Sequence, residues 1–151
     1  MRLLGVGTVV GVGCWFFATC AAAQVRIEGY TYTMDDKGDY HAVAGVEIRA
    51  YRADGPLLDR PKESDSRGHF EFPVRQGDPF WIVFSQGDKV PELHMLAGKD
   101  GVSNSVHVAL LTKAQAKQRG IGLEWKRELL LQIMPKNDPF AWKIKAMLKE
   151  P

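Results

Sequence analysis

Five consecutive apolar residues, Phe80-Trp81-Ile82-Val83-Phe84, come shortly after a stretch of alternating apolar and polar residues, and no other feature limits the fold so strongly. A run this short suits a strand covered on both faces, or one whose outer face is packed over by something else. Upstream, Phe70, Phe72 and Val74 alternate with His69, Glu71 and Pro73, the period of a strand with one buried face. Between the two lies Gln76-Gly77-Asp78-Pro79, short, polar and rich in turn formers, which predicts an antiparallel hairpin at the centre of the core. Ser66-Arg67-Gly68 turns the chain into the first of these strands. Asp65 is placed to accept hydrogen bonds from backbone N–H groups of that turn, and Gly68 can take the positive φ that a bulky residue resists.

The chain opens with Arg2 as its only charge, an apolar run from Leu3 to about Ala18, and Ala21-Ala22-Ala23. This is the layout of a secretory signal peptide spanning residues 1–23 and cut before Gln24. The competing reading is an uncleaved anchor, since a bilayer core takes about 20 apolar residues. The many glycines and the Ala-x-Ala end favour cleavage, after which no membrane span is expected. Both cysteines, Cys14 and Cys20, lie in this segment, so the exported chain is expected to hold no disulfide and to depend on its core. Removing Arg2 leaves 19 Lys and Arg against 18 Asp and Glu, a near-neutral balance that gives no electrostatic case for nucleic acid.

Val25, Ile27 and Gly29 alternate with Arg26, Glu28 and Tyr30 in a first strand that runs on through Thr31, Tyr32 and Thr33. Asp35-Asp36-Lys37-Gly38-Asp39 offers three carboxylates, but Lys37 stands where a calcium loop wants an oxygen ligand, so a solvated loop is expected. Val46, Ile48 and Ala50 share one face of a second strand. The polar stretch Arg52 to Glu63, with Leu57-Leu58 its only apolar pair, is read as a long connection crossing to another sheet. Leu93 to Leu96 follows Pro91 and reads as an edge strand, and Val106, Val108 and Leu110 mark the last strand. Short strands with turn signals every 8–12 residues or so predict a mainly β fold, a sandwich of about seven strands.

The segments Gly45 to Tyr51, Ser64 to Phe72 and Pro79 to Phe84, together with Pro91, resemble in order and spacing the carboxypeptidase regulatory-like domains of the transthyretin-like (prealbumin-like) fold. Ser64 stands for that family's usual threonine, and Val90 for an aromatic residue. The resemblance covers Val25 to about Leu111 and implies a Greek-key prealbumin-like β-sandwich over residues 24–111. Beyond it the period changes to that of helices. Thr112 to Gln115 is a capping box, Gly120 a helix-ending glycine, Leu123 to Met134 an amphipathic helix, and Asn137-Asp138-Pro139 an N-cap before Phe140, Ile144, Met147 and Leu148. Residues 112–151 are therefore expected to form a helical C-terminal extension, folded back over the outer face around Trp81 or turned to a partner.

The chemistry-bearing residues point away from catalysis. His41, His69, His94 and His107 are read as falling singly on outer strand positions or in a loop, and no nucleophile motif such as G-x-S-x-G is present. His94 and His107 could meet only if their strands pair, and no metal-ligand spacing supports a cluster, so neither metal nor cofactor is expected. Tyr30, Tyr32, Tyr51 and Trp81 are the candidates for an outer-face surface that docks a ligand or the helices. The resulting expectation is an exported, non-enzymatic binding or structural module of the periplasm or cell envelope, whose partner is an envelope protein or a glycan. The alternative is a small transthyretin-type hydrolase, although the C-terminal Tyr-Arg-Gly-Ser of that enzyme branch is missing here.

Overall fold

The computed structural model describes residues 24–53, 60–75, 79–97 and 104–148, so the signal-peptide expectation, with Cys14 and Cys20, lies outside the described residues, as do Leu57-Leu58 and the turns at Gln76-Gly77-Asp78 and Gly98 to Gly101. The chain is mainly β, with two four-stranded sheets followed by three short helices. In chain order the strands are β1 (Gln24–Met34), β2 (Tyr40–Ala42), β3 (Glu47–Arg52), β4 (Lys62–Glu63), β5 (His69–Arg75), β6 (Pro79–Ser85), β7 (Glu92–Ala97) and β8 (Asn104–Leu110). The helices are α1 (Lys113–Gln118), α2 (Leu123–Ile133) and α3 (Pro139–Met147). No helix among the described residues is long and apolar enough to cross a membrane.

The first sheet is built around β1. One edge of β1 pairs antiparallel with β5 over Gln24 to Tyr30 and then with β2 over Tyr32 to Met34, while the other pairs parallel with β8 from Ile27 to Thr33. Thr31 bridges the change of partner. Its N–H donates to the Gly68 carbonyl at 2.8 Å, its own carbonyl accepts from Val43, and its buried hydroxyl lies 2.8 and 3.0 Å from the Val43 and Gly68 carbonyl oxygens. The second sheet runs β4-β3-β6-β7, which puts β7 at an edge as Pro91 requires. Ile27, Phe70, Val74, Val106, Val108 and Leu110 from one sheet meet Val46, Ile48, Ala50, Phe80, Ile82 and Phe84 from the other in a single buried layer.

Two connections differ from the sequence reading. β5 and β6 do not form a hairpin: they belong to opposite sheets and face each other across the core, the Phe70 and Phe84 rings meeting edge-on at 5.2 Å. The reason is that both strands carry apolar inner faces. A hairpin would have laid those faces side by side with nothing opposite, whereas placing the strands in facing sheets lets each bury the other. The excursion from Arg52 to Glu63 likewise returns to its own sheet, with β4 pairing antiparallel to β3, and the crossing falls later, between Glu63 and His69.

That crossing turns on Asp65. Its Oδ1 accepts from the N–H groups of Arg67 and His69 at 2.8 and 2.9 Å, and Gly68 follows with φ +75°. The loop between β1 and β2 repeats the device, with Asp35 Oδ1 accepting from Lys37 and Asp39 at 2.9 Å and Gly38 at φ +91°. The donated N–H groups hold the Asp65 carboxyl below its ordinary value near 3.8, and the His41 side chain, then the Asp39 N–H, do the same for Asp35. Since the unfolded chain binds these protons first, the stabilisation is full above that ordinary value and is lost as pH falls through the lowered one. Asp65→Ala is therefore expected to lower the melting temperature at pH 7, with the gap to wild type closing toward pH 2. A gap that stays constant with pH would mean that the carboxylate is not what holds the turn.

The helices cover the outer face of the second sheet. Thr112 and Gln115 cap α1 reciprocally, and Asp138 caps α3 ahead of Pro139 at its first turn. Ala116, Leu130, Ile133, Met134, Phe140, Ala141, Ile144 and Leu148 pack with Tyr51, Val83, Val90 and Leu111 into a second buried cluster, which Trp81 and Leu93 flank. The uninterrupted apolar run of β6 is thereby explained: Phe80, Ile82 and Phe84 fill the inter-sheet core, and Val83 and Trp81 take the helices.

Candidate functional site

The four aromatic candidates fall on two different faces. Tyr51 and Trp81 are cross-strand partners on the helix-covered side, where Tyr51 is fully buried and Trp81 half-buried. Tyr51 is thus no part of an open ligand surface. Its hydroxyl donates to Asp138 Oδ2 at 2.9 Å, and burial, followed by that carboxylate, pushes the phenol well above its ordinary value. Asp138 also accepts from the Phe140 N–H at 2.8 Å and lies 3.5 Å from Arg49, whose guanidinium pairs with Glu47 and sits 4.6 Å above the Phe140 ring. Beside this network, the buried Lys126 ammonium reaches Glu92 at 2.6 Å. These groups fasten the helices to the sheet.

Tyr30 and Tyr32 lie on the outer face of the first sheet, which no described element covers. Because β1 is central, the residues opposite Tyr30 are His69 on β5 and His107 on β8, so the three form one row across the sheet. The Tyr30 ring is 5.1 Å from His69 and 5.8 Å from His107, and Tyr32 stacks on His107 at 6.0 Å with the planes 10° apart. Two of the four histidines therefore converge on one tyrosine instead of falling singly. Their imidazole edges carry polar neighbours: Tyr32 Oη lies 3.4 Å from His107 Nδ1, and Ser105 Oγ 3.5 Å from Nε2. His94 and His107 do not meet, since β7 and β8 belong to different sheets; His94 packs edge-on to Phe84 at 5.8 Å, where burial pulls its pKa down.

Small residues shape the surface further. Tyr32 is flanked by Ala42 on β2 and Ala109 on β8, so its ring rises beside a shallow hollow of about 340 Å³ bounded by Tyr40, His107 and Ala109. A second hollow of about 240 Å³ lies beyond the Tyr30–His107 stack, lined by Tyr30, Asp65, Arg67 and His69. Tyr40 was the residue that sequence reading missed, because a strand of three residues leaves no period to detect. Among the described residues no group of three or more His, Cys, Asp or Glu side chains is arranged to hold a metal.

No protein-family model and no curated protein sequence matches the chain. Among solved structures, the minor pilin of Streptococcus agalactiae superposes with a TM-score of 0.51 at 13% identity, over 59% of this chain and 44% of its own. A full-length major pilin of Corynebacterium diphtheriae gives 0.45 at 11% identity over 60% and 32% of the two chains, and a catechol 1,2-dioxygenase of Pseudomonas arvilla 0.45 at 10% over 64% and 54%. The chain spans less than half the length of either pilin. The likeness to the minor pilin is one of fold: the chain is a β-sandwich protein, one sheet roofed by its own helices and the other presenting a row of aromatic and imidazole rings.

Proposed function

We propose that the protein is an exported, non-enzymatic binding module of the cell envelope, of the carboxypeptidase regulatory-like kind, with a signal in residues 1–23, the sandwich in 24–111 and the helical extension in 112–151. The observation that carries the reading is the contrast between the two outer faces. The second sheet buries its apolar face under helices, while the first leaves Tyr30 at 40% and Tyr40 at 53% exposure beside two hollows. Large rings with polar edges, held in register on a rigid sheet, suit recognition of a glycan or of a protein surface. An envelope setting also agrees with the pilin neighbour, whose fold serves at a cell surface.

The hydrolase reading has one observation in its favour, the meeting of His69, His107 and Arg67 around Tyr30. The two imidazoles stand on opposite sides of that tyrosine, two strand spacings or roughly 10 Å apart, which is too far for one proton-transfer step between them. Binding is the better use of such a row. Captured partners from an envelope extract should be lost with the double variant Tyr30→Ala/Tyr32→Ala while the variant stays folded, because Tyr30 is exposed, Tyr32 half-buried and neither belongs to a buried cluster. Capture unchanged by the double variant would remove the ring face from the function, and turnover by the wild type of 5-hydroxyisourate, the substrate that the transthyretin-type hydrolase alternative implies, would restore the hydrolase.

A further inference from the structure

Guanidinium groups stand at both ends of the ring face. At one end Arg119, just past α1, places its Nη atoms 3.4 and 3.5 Å from the hydroxyl of Tyr40, a residue that lines the larger hollow. At the other, Arg67 lines the smaller hollow with Tyr30, Asp65 and His69. Among the described residues neither side chain is ion-paired with a carboxylate, and three of the neighbouring acids have partners of their own. Asp65 Oδ1 accepts from two backbone N–H groups, Asp35 Oδ2 binds His41 at 2.9 Å, and Glu71 pairs with Arg26 at 2.8 Å. Glu28 is a further carboxylate of this face, set two residues before Tyr30 on the side away from Tyr32 and Tyr40, and Asp36 and Asp39 are exposed in the loop before β2.

Building on the ring-face reading above, we infer that the ligand is an anionic glycan, a chain of sugar rings carrying carboxylate groups. Tyrosine rings offer apolar faces to the C–H side of a sugar, and the hydroxyls of Tyr32, Tyr40 and Ser105 with the imidazole edges offer donors and acceptors to its hydroxyls. A guanidinium is the side chain best matched to a carboxylate, which it can bind through two parallel N–H groups. Two hollows on either side of one stack ask for a ligand of more than one ring, and a cation at each outer end asks for charge on more than one of them. The chain's near-neutral total does not oppose this, because the complementarity is local to one face.

The test is calorimetric titration of the purified protein with a short oligogalacturonate, its fully methyl-esterified counterpart and polyglutamate. Oligogalacturonate should bind at least tenfold more tightly than the ester and weaken with added salt. Arg67→Gln and Arg119→Gln should each reduce oligogalacturonate affinity by about fivefold, a typical exposed ion pair, and leave the ester's affinity unchanged. Tyr32→Ala should weaken both sugars by about tenfold. Equal affinity for acid and ester would overturn the anionic assignment while leaving the ring face as the binding surface. Polyglutamate binding as tightly as oligogalacturonate would overturn the glycan in favour of an acidic peptide. Sugar binding indifferent to Tyr32→Ala would overturn both this inference and the reading it rests on, and failure of all three probes to bind would overturn this inference alone.

Discussion

Gly29→Ala is expected to cost about 3 kcal/mol or more, the upper end for overpacking a well-filled core, because the space a methyl group would need is occupied by backbone. Gly29 is buried at the centre of β1 between Phe70 on β5 and Val106 on β8. A Cβ there would fall inside the Val106 carbonyl and come within 3.0 Å of the tip of the Phe70 ring. A flexible side chain could move aside, but a ladder carbonyl cannot move without parting β8 from β1. Against a total of about 5–15 kcal/mol, that loss leaves a marginal fold. Urea denaturation checks it. A variant whose midpoint lies within error of wild type would show that β8 can shift without loss.

The second large effect is expected at Asp138. One carboxylate there caps α3, accepts from the buried Tyr51 hydroxyl and faces the Arg49 guanidinium. Asp138→Ala removes all three at once and leaves the hydroxyl with Arg49 alone, so a loss of about 3–5 kcal/mol is expected, as for breaking a buried pair. Asp138→Asn keeps an acceptor for the cap and for Tyr51 and should recover most of it, while Tyr51→Phe should cost only about 1 kcal/mol. The raised Tyr51 phenol adds a pH signature. Above its ordinary value of 10.0 the unfolded chain loses this proton before the native one does, so stability should fall as pH rises past that point, and Tyr51→Phe should flatten the decline. Equal losses for the Ala and Asn variants would show that charge, not hydrogen bonding, is the role of the side chain.

Local chemistry was legible in the sequence wherever it acts over a few residues. The alternation of Val46, Ile48 and Ala50, the Asp65 turn, the Thr112–Gln115 capping box and the Asp138-Pro139 start of α3 all stand in the structure as read. What failed was partner choice. Periodicity tells which side of β5 is buried but not whether its neighbour lies beside it or opposite, so it cannot separate a hairpin from two strands in facing sheets. Tyr51 alternates as an outward residue, and only the packing of α3 turns that outer face into an interior. The candidate site was half visible: Tyr30 and Tyr32 could be picked out as outward aromatics, whereas His69 and His107 become their neighbours only through pairings that span from β1 to β5 and from β1 to β8.

The parallel pairing of β1 with β8 also sets the order in which the molecule can be made. Ile27 must wait for Asn104, and Thr33 for Leu110, before the centre of the first sheet has both its neighbours. Contacts this distant in the chain close slowly, since the entropy of a long loop is lost before any of the ladder forms. While synthesis proceeds, β1 and β5 can pair but one edge of β1 stays open, and the helices that roof the second sheet emerge later still. Completion is thus deferred until nearly all of the described chain is present, and until then β1 keeps one edge open to pairing with another strand.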